Sequence, residues 1–477
     1  MAKKRVCVTG ATGTMGLATL REFMNRTDRF DITVFARPGK VNERKLAPFL
    51  SNPGFSVVWG DLTRLDDVRQ AVRGADFVLH IGGMVSPSAD YYPEKTLLVN
   101  VAAAENVARA VLEGDKADSC GVVYIGSVAQ SGDRRPPHHW GRTGDPLAAS
   151  EGDAYALSKI RAEIAIVDSG LKKWACLRQT GILYPGLLFK GSDPITFHVP
   201  LRGMLEWATD EDSGRLMANI CEDSTPDEFW NGFYNIGSGK SYRLTNYEFE
   251  KLLLKALGCP PPHKSFRVDW FAIHNFHGQW WQDSDRLEEL VPFRSGESCD
   301  DYFRRLAAMV PWYFKLAPLA PAALVRMGMK WVAGRNDLGP LHWRKNNNER
   351  RIRIHFGSLD EWDAIPSWEN QLPELEQYPA GEPRERRDPP VDHAFDHGYD
   401  ESKPRSEWNL DDMRSKAAHE GGECLSESMT AGDLHTPLRW RCVCRHEFKA
   451  SPAAVLLGGH WCPDCLTARI MGSQTQN

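Results

Sequence analysis

The chain has 477 residues, with 58 basic and 63 acidic side chains and a formal net charge of -5. This length exceeds the size at which one hydrophobic core usually stops growing, so we expect two or more folding units. The charge excludes a general electrostatic attraction to nucleic acid or to an anionic membrane surface.

The first residues, MAKKRVCVTG, run straight into a strand-like segment, without the apolar stretch and cleavage site of a signal peptide. We therefore expect a cytoplasmic protein. Its eleven cysteines are spread thinly except for a cluster near the end of the chain. In a reducing compartment such a cluster favours metal ligation over disulfides.

The first 240 residues alternate strand-like apolar runs with helical periodicity, which predicts an α/β fold with a doubly wound, Rossmann-type parallel sheet. The predicted strands are RVCVTG, DITVFAR, FSVVWGD, DFVLHIGG, GVVYIGS, WACLRQTGILYP and GFYNIGSG. The predicted helices are MGLATLREFMNR, LDDVRQAVRG, VNVAAAENVARAVLEG and DAYALSKIRAEIAIVDSG.

The segment VCVTGATGTMG places Gly10, Gly13 and Gly16 between the first strand and the first helix. Glycine there permits a tight turn and lets the backbone approach a pyrophosphate, whose charge is met by free N–H groups and the positive end of the helix dipole. Because a strand precedes the motif and a helix follows it, the motif predicts a dinucleotide site.

The segment after the second strand, FARPGK, is basic where an acidic residue would normally bind the ribose 2′-hydroxyl. Arg37 and Lys40 would instead neutralise a 2′-phosphate, which favours NADP over NAD. The alternative is a pair of ordinary solvated cations. Asp61 is predicted either to bind the adenine amino group or to cap the next helix, and His80 and Gly82 to lie beside the cofactor or in the core.

Ser127 ends the fifth predicted strand, and YALSK places Tyr155 and Lys159 on one face of a helix. A phenol titrates near pH 10, so Tyr155 needs the charge of a nearby ammonium to act as an acid or base near neutrality. Ser127 would hydrogen-bond the substrate oxygen. We expect these three residues to be catalytic.

Together with HIGGMVSPSADYYPEKTLLVNVAAAENV and YNIGSGKSYRLTNYEFEKLL, these motifs resemble the extended short-chain dehydrogenase/reductase family, also called the NAD-dependent epimerase/dehydratase family. The resemblance covers about residues 4 to 300. It implies a substrate lobe over the nicotinamide, a small-molecule substrate and a homodimer packed through Rossmann helices. The cofactor set then comprises Gly10, Thr12, Gly13, Thr14, Met15, Gly16, Arg37, Lys40, Asp61, Leu62, His80, Gly82, Asn100, Tyr155, Lys159, Tyr184 and Pro185.

Two departures from the family pattern guide the expected chemistry. Val128 and Ala129 stand where sugar-nucleotide dehydratases carry an Asp-Glu pair, which disfavours dehydration. The basic segment after the second strand disfavours permanently bound NAD. We therefore expect an NADP(H)-dependent oxidoreductase that interconverts a carbonyl and a secondary alcohol, with NAD as the alternative cofactor and epimerisation of a nucleotide-linked sugar as the alternative reaction.

The substrate side is predicted only in outline. Arg178, Arg202 and Arg243 are candidates for binding a charged substrate, and so are His138, His139 and Trp140 in the loop before Tyr155. Residues 309–334 are apolar, but prolines and cations interrupt them, so no transmembrane helix is expected and peripheral membrane contact is not favoured.

The predicted domains are a Rossmann domain over 1–245, with segments of the substrate lobe inserted after about residue 170, a helical, Trp-rich lobe over 246–370, a polar linker over 371–405 and a zinc module over 406–477. Cys442, Cys444, Cys462 and Cys465 are predicted to form a closed tetrahedral, structural Zn²⁺ site. The tail resembles a small zinc ribbon, with His446 and His460 as alternative ligands. An NADPH-sensing regulator that binds nucleic acid is the remaining hypothesis, but the tail lacks a dense basic stripe.

Overall fold

The structure, a computed structural model, describes residues 2–189, 193–311, 321–377, 384–390 and 394–472. Its strands in chain order are β1 Lys4–Thr9, β2 Phe30–Ala36, β3 Phe55–Trp59, β4 Phe77–His80, β5 Gly121–Ser127, β6 Trp140–Gly141, β7 Trp174–Gln179, β8 Ile182–Leu183, β9 Met204–Glu206, β10 Ala208–Thr209, β11 Gly232–Ile236, β12 Arg243–Thr245, β13 Trp280–Trp281, β14 Glu423–Cys424, β15 Leu438–Arg441 and β16 Glu447–Ala450.

The α-helices divide between the first half of the chain and the lobe and tail that follow. They are α1 Thr14–Met24, α2 Lys40–Leu50, α3 Leu65–Val72, α4 Ser88–Tyr91, α5 Pro93–Leu112, α6 Ala154–Val167, α7 Asp210–Asn219, α8 Asn246–Ala256, α9 Pro262–Ser265, α10 Ser284–Leu290, α11 Cys299–Met309, α12 Ala322–Ala333, α13 Pro340–Lys345, α14 Glu349–Phe356, α15 Leu359–Asp363, α16 Trp368–Gln377, α17 Leu410–His419 and α18 Pro463–Met471.

A seven-stranded sheet of order β11-β7-β5-β4-β1-β2-β3 forms the centre of the molecule. All six neighbouring pairs are parallel. Parallel strands covered on both faces are apolar along their whole length, and every residue of β5 and β7 is buried. Each of the seven predicted strand segments supplies one strand of this sheet, so the predicted doubly wound fold is confirmed.

Two layers of helices cover the sheet. Side chains of α3, α5 and α6 pack in one core with Val122 and Cys176, whereas side chains of α1, α2 and α7 pack in another with Val123 and Leu177. Because alternate strand residues point to opposite faces, these two cores lie on opposite sides of the sheet. Between β1 and β4 the chain order reverses, which opens a crevice at the carboxyl ends of the strands.

The tail from α17 to α18 packs against the same sheet. Trp440 and Val455 of the tail share the core of Trp174 and Phe233 from β7 and β11. A module this small has little core of its own, so its apolar side chains are buried against the larger domain. The tail also contacts α6. The homodimer packed through Rossmann helices stays a prediction.

The stretch predicted as a linker, 371–405, contains packed residues among those that are described. Both guanidinium ends of Arg387 donate to Glu248, at 2.8 and 2.6 Å, and buried His397 lies 3.0 Å from Asp145. The domain boundaries stay a prediction. No helix in the described parts of the chain is long and apolar enough to cross a membrane, and residues 312–320, within the apolar run 309–334, lie outside the described residues.

Candidate functional site

A cavity of about 800 Å³ lies at the carboxyl ends of the strands, where the crevice opens. Most of the predicted site residues meet there, although they come from separate strands and helices. Those that line it are Gly10, Thr12, Gly13, Thr14, Met15, Gly16, Arg37, Asp61, Leu62, Gly82, Ser127, Tyr155, Lys159 and Tyr184.

The glycine loop between β1 and α1 has no room for side chains. Gly10 has a φ of +67°, and a Cβ on it would lie 2.6 Å from the Cα of Gly82. A Cβ on Gly16 would lie 2.3 Å from the carbonyl oxygen of Gly10. No side chain caps the N-terminus of α1, so its first N–H groups can bind an anion. These features fit the pyrophosphate of a dinucleotide.

The end of the cavity next to β2 and β3 carries the exposed side chain of Arg37. Within the described residues, the Arg37 side chain makes no hydrogen bond or ion pair, and it lines the cavity with Asn42. Asp61 accepts hydrogen bonds from the backbone and the hydroxyl of Thr63, at 2.9 and 2.8 Å. These bonds, and more weakly the charge of Arg37, lower the pKa of Asp61.

Four predicted cofactor residues do not line the cavity. His80 is buried, and its Nδ1 lies 2.9 Å from the hydroxyl of Thr9, its direct neighbour across β1 and β4. Burial lowers the pKa of His80 to about 3, so the ring is neutral and structural. Asn100 is also buried, and it braces Met84 and Ser158 behind Gly83. Lys40 and Pro185 lie outside the lining as well.

The predicted catalytic residues come together from β5 and α6. Ser127 ends β5, and its backbone N–H donates to Gln130 Oε1 at 2.7 Å. Lys159 is buried, and its Nζ donates to the carbonyl oxygen of Ile125 at 2.8 Å. Tyr155 lies one helical turn before Lys159 and lines the cavity with Ser127. A tyrosine hydroxyl, a serine hydroxyl and a lysine ammonium thus share one wall.

Burial moves the pKa values of this group in opposite directions. Burial raises the pKa of Tyr155 to about 12, although the hydrogen bond with the Ser127 hydroxyl lowers it in part. It lowers the pKa of Lys159 to about 8, against a raising by the charge of Glu163. Lys159 is therefore mostly charged at neutral pH, which is the state that would stabilise a phenolate.

The predicted substrate arginines do not line the cavity. Arg178 is buried in an ion pair with Glu163 at 2.7 Å, and Arg243 in one with Glu206 at 2.7 Å. Arg202 pairs with Glu374 at 2.5 Å. His138, His139 and Trp140 likewise lie outside the lining.

The substrate end of the cavity is built from residues that the sequence did not single out. Arg351 and His355 come from α14, His198 from the segment before β9, and His277 from the segment before β13. The guanidinium of Arg351 lies over the ring of Trp343 at 5.7 Å and, among the described residues, makes no hydrogen bond or ion pair. No motif spacing joins these segments, so the sequence alone does not predict that they meet.

Three of the four predicted zinc ligands also come together. Cys442, Cys462, Cys465 and His446 each offer a ligand atom, and these four atoms lie within 4.8 Å of one another. Cys444 is exposed and is not among these four atoms, although its thiol interacts with that of Cys465. Arg445, in the turn that follows Cys444, has a φ of +64°. His446 comes directly after this turn and lies beside the cysteines.

Comparison with known proteins agrees with this geometry. Residues 6–175 match the model of the NAD dependent epimerase/dehydratase family. The chain carries a domain of that family. The epimerase/dehydratase domain includes the glycine loop, Ser127, Tyr155 and Lys159, whereas Tyr184, which also lines the cavity, lies beyond the matched residues.

The similarity to curated relatives covers a smaller part. A UDP-glucose 4-epimerase of Rickettsia akari is 33% identical over 113 residues, which are 23% of this chain and 33% of the relative. The match thus spans about a third of the length of such relatives.

Solved structures show the fold of the epimerase/dehydratase domain and its lobe. The dTDP-glucose 4,6-dehydratase DesIV of Streptomyces venezuelae, with NAD and TYD bound, is 20% identical with a TM-score of 0.52, and the match covers 65% of this chain and 97% of that one. The UDP-Glc/GlcNAc 4-epimerase of Campylobacter jejuni is 16% identical with a TM-score of 0.51, over 66% of this chain and all of that one. At these identities the likeness concerns the fold alone.

Proposed function

We propose that the chain is an NAD(P)-dependent enzyme that oxidises a secondary alcohol of a nucleotide-linked sugar to a ketone and then returns the hydride to the opposite face of that carbon, which epimerises it. The observation that carries this proposal is the meeting of Ser127, Tyr155 and Lys159 with the glycine loop in one cavity. The similarity to a UDP-glucose 4-epimerase supports the sugar class. This reverses the order of the two reactions expected from the sequence.

The bound dinucleotide would accept and return the hydride. Gly10, Gly13 and Gly16 would hold its pyrophosphate, and Lys159 its ribose hydroxyls. Tyr155 takes the proton of the substrate hydroxyl and later returns it. Ser127 donates a hydrogen bond to the same oxygen, and the ammonium of Lys159 lowers the pKa of the phenol during this transfer.

The substrate end supports an anionic substrate. The guanidinium of Arg351 is half-buried at the cavity wall and, within the described chain, has no acidic partner in contact. A half-buried cation without a partner is costly, and a phosphate oxygen would satisfy it with charge-assisted hydrogen bonds. Dehydration is not proposed, because Val128 and Ala129 are apolar and buried.

Tyr155→Phe tests the acid/base role. With UDP-hexoses as probes and product analysis by chromatography, we expect the rate to fall about 100- to 10,000-fold, the usual contribution of general acid/base catalysis. Cofactor affinity, measured by nicotinamide fluorescence, should stay unchanged. Tyr92→Phe is the matched control, since Tyr92 is 61% exposed and does not line the cavity. An active Tyr155→Phe enzyme would refute the mechanism.

Net reduction of a carbonyl by NADPH is the second candidate, and the exposed Arg37 favours it, because a 2′-phosphate suits a cofactor that exchanges between turnovers. The two candidates differ in the fate of the hydride. Epimerisation leaves the absorbance of reduced nicotinamide constant while product accumulates, whereas net reduction consumes it in proportion to product.

We also propose that the tail binds a structural Zn²⁺ ion. In a tetrahedral site with Zn–S bonds of about 2.3 Å, ligand sulfurs lie roughly 3.8 Å apart. The sulfurs of Cys442 and Cys465 are 3.6 Å apart, and Nδ1 of His446 lies 3.5 and 3.3 Å from those of Cys462 and Cys465. The fourth ligand is then His446 or, as the sequence spacing predicts, Cys444.

Metal analysis of two variants distinguishes these ligand sets. His446→Asn should release zinc if the histidine is the ligand, and Cys444→Ser should release it if the thiolate is. Cys424→Ser is the control, because Cys424 lies outside the group. Retention of zinc in the double variant of Cys462 and Cys465 would contradict both sets.

A further inference from the structure

Glu163 is a fully buried carboxylate on the catalytic helix α6. It lies four residues after Lys159, which lies four after Tyr155, so the three side chains lie along one face of the helix. The carboxylate also lies close to the end of β5, since a Cβ on Gly126, next to Ser127, would lie 3.0 Å from Glu163 Oε2. Glu163 therefore lies between the two elements that carry the catalytic residues.

The C-terminal module completes the hydrogen bonds of this carboxylate. Arg178 donates to Glu163 at 3.2 and 2.7 Å, and Nε2 of His460 donates to it at 2.8 Å. The carbonyl oxygen of Gly458 accepts a further bond from Arg178 at 2.5 Å. Residues 458–460 thus close a buried ion pair that the Rossmann domain leaves incomplete.

The module is also joined to the start of the same helix. The carbonyl oxygen of Ile470 accepts from the backbone of Gly152, at 2.7 Å, just before α6 begins. Ile470 packs in one core with Leu157 and Ile160. Arg161 of α6 donates to Thr467 at 2.9 Å. Since His460 and these residues flank Cys462 and Cys465, the cysteine cluster lies between two attachments to the catalytic helix.

We propose that the C-terminal module is a positioning element of the active site and that His460, acting through Glu163, fixes Lys159 and Tyr155 relative to Ser127; this rests on the proposed function. His460 is then not a metal ligand, because its Nε2 is used by Glu163 and the cysteine group contains His446 instead. Loss of one donor would leave a buried carboxylate short of hydrogen bonds, and it would move toward another cation, of which Lys159 is one turn away.

The test uses three variants of the full-length chain. His460→Leu removes the donor, His460→Asn keeps an amide that is too short to reach Glu163, and His460→Gln presents an amide nitrogen where Nε2 stood. We expect kcat to fall about 10- to 100-fold in His460→Leu and similarly in His460→Asn, the range set by hydrogen bonds to charged groups. KM and zinc content should stay unchanged, and His460→Gln should restore most of kcat. His419→Leu, an exposed histidine of the same module, is the control.

Amide hydrogen exchange provides a readout that does not depend on turnover. In His460→Leu the amide exchange of residues 155–163 should become faster than in the unmutated chain. The exchange of β1 and β2, which lie away from the module, should change less. If the unmutated chain turns over no sugar nucleotide, the proposed function fails while exchange still decides the positioning role.

The proposal is overturned if His460→Leu leaves kcat and the exchange of α6 unchanged. It is also overturned if exchange rises equally throughout the sheet and His460→Gln restores nothing, since His460 would then be only structural. Should His460→Leu not accumulate as folded protein, the comparison of His460→Asn with His460→Gln decides by the same two criteria.

Discussion

The two ends of the cavity are built in different ways. The cofactor end consists of turns that follow β1, β2, β3 and β4, with backbone groups and glycines in the lining. The substrate end consists of the side chains of Arg351, His355, His198 and His277, which the fold gathers from three distant segments. One end is a property of local backbone geometry and the other of long-range packing.

This difference explains why the family match covers the cofactor end, over residues 6–175, and not the segments that build the substrate end. A backbone cradle recognises a pyrophosphate that is common to many reactions, so its spacing is constrained by the ligand. Side chains that recognise a particular substrate can come from any element that the fold places nearby. About a third of the chain lies outside the matches to these two solved structures.

The strongest test of the cofactor end is Gly16→Ala. The added methyl group would lie 2.3 Å from the carbonyl oxygen of Gly10, so the loop must open. Overpacking costs about 1–3 kcal/mol, and we expect the affinity for the dinucleotide to fall about 100-fold, the upper end of that range. Fluorescence titration with NADPH measures it. Gly328→Ala in α12, whose Cβ would meet nothing within 4 Å, should change nothing. Unaltered affinity in Gly16→Ala would show that the loop does not hold the cofactor.

The corresponding test of the substrate end is Arg351→Gln. If this guanidinium binds a substrate phosphate, KM for a UDP-hexose should rise about tenfold, the lower end for a charge-assisted bond at a half-buried site. The affinity for the cofactor should stay constant, which separates the two ends. Arg350→Gln removes the exposed neighbouring cation and is the matched control. An equal rise in both variants would indicate general charge attraction instead.

The fold of the first half could be predicted almost completely from the sequence. Its strands are apolar runs bounded by turns, and burial on both faces leaves them little choice of composition. Helix α2 was missed, because KVNERKLAPFL is mostly polar and contains Pro48, and only Leu46 and Phe49 are buried. The packing of the tail onto the sheet has no sequence signal, since Trp440 and Val455 look like ordinary core residues of a small module.

The cofactor wall was predicted well only where the backbone forms it. His80 ends β4, and several residues at strand ends line the cavity. Its ring, however, lies against Thr9 on the neighbouring strand β1. That partner depends on the neighbour of β4 in the sheet, which spacing along the chain does not reveal. The same holds for Arg178, whose partners Glu163 and Gly458 are 15 and 280 residues away. Long-range pairing decides which polar residues are functional and which are structural.

Cofactor choice is a smaller effect within the cofactor end. Arg37→Gln should weaken NADP binding about fivefold and leave NAD binding unchanged, because an exposed ion pair contributes about 0.2–1 kcal/mol. Lys40→Gln, which removes a cation outside the lining, should do less. Titrations of both cofactors against each variant measure the ratio. Equal NADP and NAD affinities in the unmutated chain would remove the basis for this prediction.

The smallest expected effect is on the pH dependence, which compares the two ends directly. Lys159 has a pKa of about 8, so a rate that needs its charge is complete below pH 8 and is lost as the pH rises through that value. At the substrate end, burial lowers the pKa of His198 to about 4, so this ring stays neutral over the same range. Because the charge of Glu163 raises the pKa of Lys159, Glu163→Gln should move the alkaline limb of kcat to lower pH, while His198→Gln should leave the limb in place. If His198→Gln shifted the alkaline limb and Glu163→Gln did not, the titrating group would lie at the substrate end and the assignment to Lys159 would be wrong.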